Sequence, residues 1–201
     1  MKCLTLFLAF TLVATVVSIA PAHAALSPLS VGIVPPVQFP PSDFSVTGAR
    51  VSLVYGKHRD LYGLDLGVIG NITQQSFVGL GVSGLYNITR GSTTILGLQL
   101  AGAANINSNK THVYGAQIAL GVNSNTAASS LTGIQFALAN LSTHTDIYGV
   151  QVGVYNRAQS VYGFQIGLVN VAKSLHGIQI GLVNFHQTGL FAVSPVINIG
   201  F

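Results

Sequence analysis

The chain has 201 residues, of which only 6% are charged, against roughly 25% in an average soluble domain. It contains 23 glycines, no tryptophan and no glutamate, so it is not a soluble repeat protein covered with Lys, Glu, Asp and Arg. The formal net charge of +4 is scattered and forms no basic stripe, so we expect no nucleic-acid partner.

Residues 1–24 are typical of a secretory signal peptide. Lys2 supplies the positive n-region, residues 4–20 form an apolar core, and residues 22–24 have the small-x-small sequence Ala-His-Ala. Cleavage is therefore predicted after residue 24. The only cysteine, Cys3, leaves with the signal, so we expect no disulfide in the mature chain.

Residues 25–46 form a proline-rich leader with little periodicity. Proline at this density favours extended backbone that fits poorly into a hydrogen-bonded ladder. We interpret the leader as a linker before the folded body, and the alternative is a plug inside that body. The prolines concerned are Pro28, Pro35, Pro36, Pro40 and Pro41.

From residue 47 to residue 201 one short sequence motif recurs, in its clearest form G-x-Q-x-G-L-x-N. In residues 162–168 the apolar side chains alternate with Gly and Gln. This period of two predicts a β-strand with one apolar face and one small, polar face. The Asn-containing run after each copy, such as residues 105–110 or 156–160, is predicted to form a turn.

The repeats, of 14–18 residues each, predict an all-β fold of about ten strands. Two architectures fit this pattern: an antiparallel transmembrane β-barrel, which we favour, and a β-solenoid as the alternative. The predicted strands lie near 47–55, 61–70, 78–87, 95–104, 113–122, 131–139, 147–155, 161–169, 175–183 and 190–201.

The distribution of charge favours the barrel in a bacterial outer membrane, with membrane lipid as its partner. The polar face carries Gly, Gln, Ala and Ser where a solvent-facing surface would carry Lys, Glu and Asp. No charge falls on the apolar face, and an Arg or Lys there would cost about 2–4 kcal/mol at the bilayer midplane. The predicted strands have the length of a membrane crossing, and their count is even, as in single-chain bacterial barrels.

The polar face defines a candidate lumen-facing layer. Arg50 and Asp65 occupy its only charged positions and are expected to form an ion pair. The layer has two interpretations: a narrow pore whose amides contact small polar solutes, or an amide network that holds the barrel together. Its members are Arg50, Asp65, Gln99, Gln117, Gln135, Gln151, Gln165, Gln179 and Asn198.

The last segment alternates apolar residues and ends on Phe201. It resembles the C-terminal signature of bacterial outer-membrane proteins, in which a terminal aromatic residue follows alternating apolar residues. That resemblance implies recognition of Phe201 by the barrel-assembly machinery. Pro195 departs from the signature, because a proline weakens ladder pairing.

The repeats resemble two groups of proteins. Residues 133–201 closely, and 48–132 loosely, resemble bacterial surface-repeat proteins built from G-[LIV]-Q-[IL]-G-L-[IV]-N units, which implies an exported surface protein and no enzyme. The Gln-x-Gly-x-x-Asn-x-Ala runs that begin at Gln151 and Gln165 resemble part of the curlin repeat. That likeness implies a secreted β-solenoid or an amyloid fibre subunit as the alternative function.

No motif for catalysis, metal binding or cofactor binding occurs. The sequence has no G-x-S-x-G elbow, its glycines form no phosphate-binding loop, and its four acidic residues are too scattered for a carboxylate dyad. No two of its histidines have helical metal-ligand spacing. We expect a protein that is not an enzyme, binds no metal or cofactor, and carries these histidines on a solvated surface: His58, His112, His144, His176 and His186.

Overall fold

A computed structural model describes residues 25–188 and 191–201, and in these residues the secondary structure is entirely β. The strands are β1 (Leu26–Val34), β2 (Val37–Phe39), β3 (Ser45–Ser52), β4 (Tyr55–His58), β5 (Asp60–Gly67), β6 (Gly70–Thr73), β7 (Phe77–Ser83), β8 (Tyr86–Thr89), β9 (Thr93–Ala101), β10 (Ala104–Asn107), β11 (Thr111–Ala119), β12 (Val122–Asn125), β13 (Ser129–Phe136), β14 (Ala139–Val152), β15 (Tyr155–Ile166), β16 (Val169–His186) and β17 (Val193–Gly200). The predicted signal peptide lies outside the described residues.

The chain winds into a parallel β-solenoid, in which each sequence repeat is one rung. A rung contains a long strand segment and a short one, joined by a tight turn. Long segments pair in parallel with the long segments of the neighbouring rungs, as β3 does with β5 and β11 with β13. Short segments form a second parallel stack, as β4 does with β6 and β10 with β12. In β14, β15 and β16 a short segment runs directly into the next long one.

The predicted antiparallel barrel is therefore wrong, and the solenoid alternative describes the fold. A period-two pattern shows which side of a strand is buried, but it is the same for antiparallel and parallel neighbours. The pairing places identical residues of successive repeats opposite each other, for example Gly149 beside Gly163 and Gln151 beside Gln165. The predicted turn at 105–110 is partly wrong, because β10 includes residues 105–107, and the predicted turn at 156–160 is wrong, because all of it lies within β15.

Antiparallel strands cover both ends of the solenoid. Residues 25–46, set apart above as a leader, supply β1, which pairs in parallel with β3, and β2, which folds back antiparallel on β1. At the other end β17 pairs antiparallel with β16 and places Asn198 opposite Gln179. Parallel stacking thus stops at a reversed strand on each side.

The interior holds one apolar column and several polar ones. The apolar column is a single cluster of buried side chains that includes Val46, Leu61, Phe77, Ile95, Val113, Leu131, Ile147, Val161 and Leu175. It lies in the first half of each long strand, ahead of the polar layer. Burial of this column is the main apolar contribution to stability inside the solenoid.

A column of glycines separates the apolar column from the polar layer. Gly163 has φ of 136°, and seven other glycines at the same place in their repeats also have positive φ. A Cβ on Gly163 would collide with the carbonyl oxygen of Gly149 in the preceding rung. Glycine is required here both for the backbone conformation and for the close approach of neighbouring rungs.

Candidate functional site

All nine residues of the candidate polar layer point into the solenoid. Parallel pairing brings eight of them into one column, and antiparallel pairing with Gln179 adds Asn198. Each side chain is buried, with Asn198 the most accessible at 6%. Between Asp65 and Gln99 the column contains one residue outside the candidate set, Gly81.

The glutamines form a directional hydrogen-bond ladder along the solenoid. The Nε2 of Gln165 donates to Oε1 of Gln151 at 2.6 Å, and the Nε2 of Gln179 donates to Oε1 of Gln165 at 2.7 Å. The same bond recurs from Gln99 to Asn198, with lengths between 2.6 and 3.2 Å. These side-chain hydrogen bonds therefore connect each rung to the next inside the solenoid.

Arg50 and Asp65 continue the column with an ion pair at its N-terminal end. Arg50 Nε donates to Asp65 Oδ1 at 2.7 Å, and Nη2 donates to Oδ2. Arg50 Nη1 also donates to the carbonyl oxygen of Ile72 at 3.0 Å. Burial raises the pKa of the Asp65 carboxyl, and the guanidinium of Arg50 opposes that rise. The expected pair thus exists between parallel neighbouring rungs.

Gly81 interrupts the ladder and leaves a small internal cavity. The cavity has a volume of about 10 Å³ and is lined by Asp65, Phe77 and Gln99, among others. The ring of Phe77 lies 3.2 Å from the place where a Cβ on Gly81 would stand, so the large ring occupies space that a longer residue 81 would need. A space this small holds no more than about one water molecule.

A second amide ladder was not predicted, because its asparagines, apart from Asn87 at the end of the predicted strand 78–87, were expected to lie in turns. Each of these asparagines is the last residue of the repeat motif and is buried within a short strand: Asn71, Asn87, Asn105, Asn123, Asn140, Asn156, Asn170 and Asn184. The Nδ2 of Asn156 donates to Oδ1 of Asn170 at 2.8 Å and to the carbonyl oxygen of Ile166 at 2.9 Å. Their constant position in every repeat was the signal that could have identified them.

The histidines do not all lie on a solvated surface, and that expectation is wrong for two of them. His58 and His186 are buried, at the first and last rungs respectively. Burial, and then the charge of Arg50, lower the pKa of His58 to about 4, and burial likewise lowers the pKa of His186. Within the described ranges no three His, Cys, Asp or Glu side chains are grouped so that they could hold a metal ion.

The outer surface is apolar over most of each rung. We call the outward positions that follow the glycine column the apolar face; Ile134, Phe136, Phe164, Ile166 and Ile180 on it are all at least 39% exposed. The turn that follows each long strand carries a further exposed column, which we call the turn ridge: Leu53, Val68, Leu85, Leu120, Leu138, Val154, Leu168 and Leu182. The outward orientation of the apolar residues agrees with the sequence pattern.

An aromatic stack lies beside the apolar face, on the other side of the glycine column. The rings of Tyr148 and Tyr162 are parallel with centroids 4.8 Å apart, and His176 stacks on Tyr162 at 4.6 Å. In-register parallel pairing places these rings above one another. Phe201 is fully exposed just beyond β17.

Charged side chains gather in the connection that follows each short strand. We call this strip the polar edge; it comprises Arg59, residues 74–76, 90–92, 108–110, 126–128 and 143–144, Gln159 and Lys173. Arg90, Lys110 and Lys173 are exposed there. Lys57 and Arg157 lie instead on short strands, although both fall between the strands predicted from the sequence.

No helix of the described chain is long and apolar enough to cross a membrane. No family model matches the chain, and no curated protein or solved structure was found to be similar to it.

Proposed function

We propose that the chain is an exported structural protein, without catalytic activity, that lies lengthwise in the surface of a lipid layer of the bacterial envelope. Its apolar face and turn ridge would enter the hydrocarbon, and its polar edge would face water. The proposal rests on the arrangement of each rung, which has amide side chains inside and large apolar side chains outside. Export is supported by the signal peptide predicted for residues 1–24.

The exposed apolar surface supports this proposal because it is continuous. Monomeric soluble proteins rarely expose a contiguous apolar patch of more than a few hundred Å². Here exposed Leu, Ile, Val and Phe side chains recur on rung after rung, from Val51 to Ile180. Transfer of one such side chain from water into hydrocarbon is favourable by about 1.5–3 kcal/mol when the whole side chain is buried.

The backbone of the solenoid is also compatible with hydrocarbon. A polar backbone group that enters lipid must have a partner within the protein. Parallel pairing supplies those partners along the stack, and the turns pair as well: the N–H of Leu168 donates to the carbonyl of Val154 at 3.0 Å. The side-chain amides bond inside the rungs and so present no polar group to the apolar face.

The polar edge supplies the side that would stay in water. Arg90, Lys110 and Lys173 lie on it, while every outward position of the apolar face is Ala, Val, Leu, Ile or Phe. Tyr114, Tyr148 and Tyr162 lie between the two regions, and tyrosine favours the membrane–water interface. This distribution is that of a protein that lies in an interface.

A fibre subunit is the second candidate, and the amide ladders favour it. Stacked Gln and Asn ladders in parallel, in-register strands are also the internal structure of cross-β fibres. The antiparallel strand β17 weighs against it, because it replaces the parallel edge that another subunit would extend at the C-terminal end; at the N-terminal end β2 covers only residues 31–34 of β1.

Flotation with lipid vesicles tests the proposal. We expect the mature protein to float with vesicles, and the variant Ile166→Lys/Leu168→Lys to remain in the dense fraction. Gln74→Lys/Gln75→Lys, which adds the same two charges on the polar edge, should float like the parent protein. Circular dichroism of all three proteins should be the same. Fibres that bind an amyloid dye, formed by protein that does not float, would instead support the second candidate.

A further inference from the structure

A groove between the polar edge and the long segments of β11, β13 and β14 contains charged groups that form no salt bridge among the described residues. Its volume is about 360 Å³, and it spans several rungs. Among its lining residues are Lys110, His112, Ser130, His144, Asp146 and Gln159. It therefore brings both signs of charge together on a surface with few charges.

The rungs set the order of these groups along the groove. His112 pairs with Ser130, and Ser130 pairs with Asp146, so the three lie on successive rungs. Since neighbouring strands are about 4.8 Å apart, the imidazole of His112 and the carboxyl of Asp146 are separated by roughly 10 Å along the axis. Lys110 lies at the His112 end of the groove, which makes that end cationic and the other anionic.

The hydrogen bonds within the groove leave a nitrogen atom of each of its two imidazole rings without a partner in the described part of the chain. His112 Nδ1 lies 2.7 Å from Ser130 Oγ, and His144 Nδ1 donates to the carbonyl of Thr126 at 3.2 Å, so each imidazole keeps its Nε2 available.

The opposite charges of the groove do not neutralise each other. Across residues 25–188 and 191–201 the salt bridges are those of Arg50 with Asp65 and of Arg59 with Asp60. Lys110 and Asp146 take part in neither. A ligand that carries both a negative and a positive group would find a partner for each.

We propose that this groove binds the zwitterionic head group of a phospholipid with an ammonium group. The phosphate would lie at the end formed by Lys110 and His112, and the ammonium at Asp146. A simple anion fits less well, because Asp146 would repel it. The inference rests on the proposed function, since the polar edge must meet the head groups of the lipid layer.

Vesicle composition provides the first test. We expect the protein to bind vesicles rich in phosphatidylethanolamine about three- to fivefold more tightly than vesicles rich in phosphatidylglycerol, the ratio appropriate to one exposed charge pair. Asp146→Asn should abolish the preference, and Lys110→Gln should weaken binding to both lipids. Lys173→Gln, on the same edge but outside the groove, should leave the preference intact.

The outcomes separate this inference from the proposed function. Binding to both kinds of vesicle without preference, unchanged by Asp146→Asn, would overturn the head-group site and leave lipid association standing. If no vesicle is bound, lipid association fails, and soluble phosphoethanolamine then tests the groove. Shifts of the His112 and His144 ring resonances by NMR, lost in Asp146→Asn, would support the groove as a zwitterion site; unchanged spectra would overturn it.

Discussion

The guanidinium of Arg50 and the carboxylate of Asp65 form a two-point ion pair between neighbouring rungs, with side chains only 0% and 3% exposed. They occupy the position that glutamine holds in later rungs. The same column thus begins with a charged pair and continues as neutral amides. Because a buried charge without its partner is costly, this pair is the most sensitive point of the column.

Removal of one partner should destabilise the solenoid strongly. Asp65→Ala leaves the Arg50 guanidinium buried without its counter-charge, and we expect a loss of about 3–5 kcal/mol in the free energy of unfolding. The free energy of unfolding is measured by urea denaturation, with circular dichroism as the signal.

The matched control replaces both partners by the residue of later rungs. Arg50→Gln/Asp65→Gln replaces the ion pair by a neutral amide pair, which Gly81 separates from the ladder, and its free energy of unfolding should lie within about 1 kcal/mol of the parent or above it. A double variant as unstable as Asp65→Ala would show that the charges themselves are required.

The glutamine ladder gives a second prediction. Gln165→Ala removes the only donor that Oε1 of Gln151 has among the described residues, while Nε2 of Gln179 keeps its bond to the carbonyl of Phe185. One buried acceptor is left unsatisfied, so we expect a loss of about 2 kcal/mol in unfolding free energy. Gln75→Ala, at an exposed position, should change it by less than about 0.5 kcal/mol. Equal effects at the two sites would contradict a role for the ladder in stability.

The sequence predicted the orientation of the strands but not their pairing. Alternation in residues 162–168 correctly assigned Phe164 and Ile166 to the outside and Gln165 to the inside. Antiparallel closure and parallel stacking require the same alternation, so the pattern could not distinguish them. The identity of successive repeats was the better guide, because only parallel, in-register stacking brings each glutamine beside its copy.

The interior groups were predicted only where they lay in long strands. Asn156 was assigned to a turn because asparagine is common in turns. In the structure its amide bonds to Asn170 in the next rung, a long-range contact that local propensity cannot reveal. His58 was expected on the surface because the residues beside it in the sequence give no sign of burial. In the structure Ser30 of β1 and Gln38 of β2, both distant in sequence, contact its ring.

The glycine column gives a third prediction, with two substitutions that separate two causes. Gly163→Ala combines an unfavourable φ of 136° with a collision against the carbonyl of Gly149. Gly97→Ala has only the unfavourable φ, of 109°, since nothing lies within 4 Å of its Cβ position. We expect Gly97→Ala to lose about 1–3 kcal/mol of unfolding free energy and Gly163→Ala to lose more. Equal losses would show that the approach of neighbouring rungs does not matter.

His58 links the N-terminal cap to the first rung and predicts a dependence of stability on pH. Its Nε2 donates to the carbonyl of Pro40 at 3.2 Å, and its Nδ1 accepts from Arg50 Nη1 at 3.3 Å, so the ring is neutral. Nε2 also lies 3.3 Å from Ser30 Oγ of β1. Protonation of Nδ1 would remove its acceptor and set a positive charge against Arg50, in agreement with the lowered pKa of about 4.

The sign of the effect follows from the lowered pKa of His58. Between pH 6.5 and about 4 the unfolded chain binds a proton that the folded chain does not, so stability should fall as the pH falls through this range. The contribution is complete above pH 6.5, is lost by pH 4, and amounts to about 3 kcal/mol. His58→Gln, which retains one donor and one acceptor, should show a shallower decline in unfolding free energy, measured by urea denaturation across this range. His144→Gln, at an exposed ring, should decline like the parent; parallel curves for all three proteins would refute the assignment.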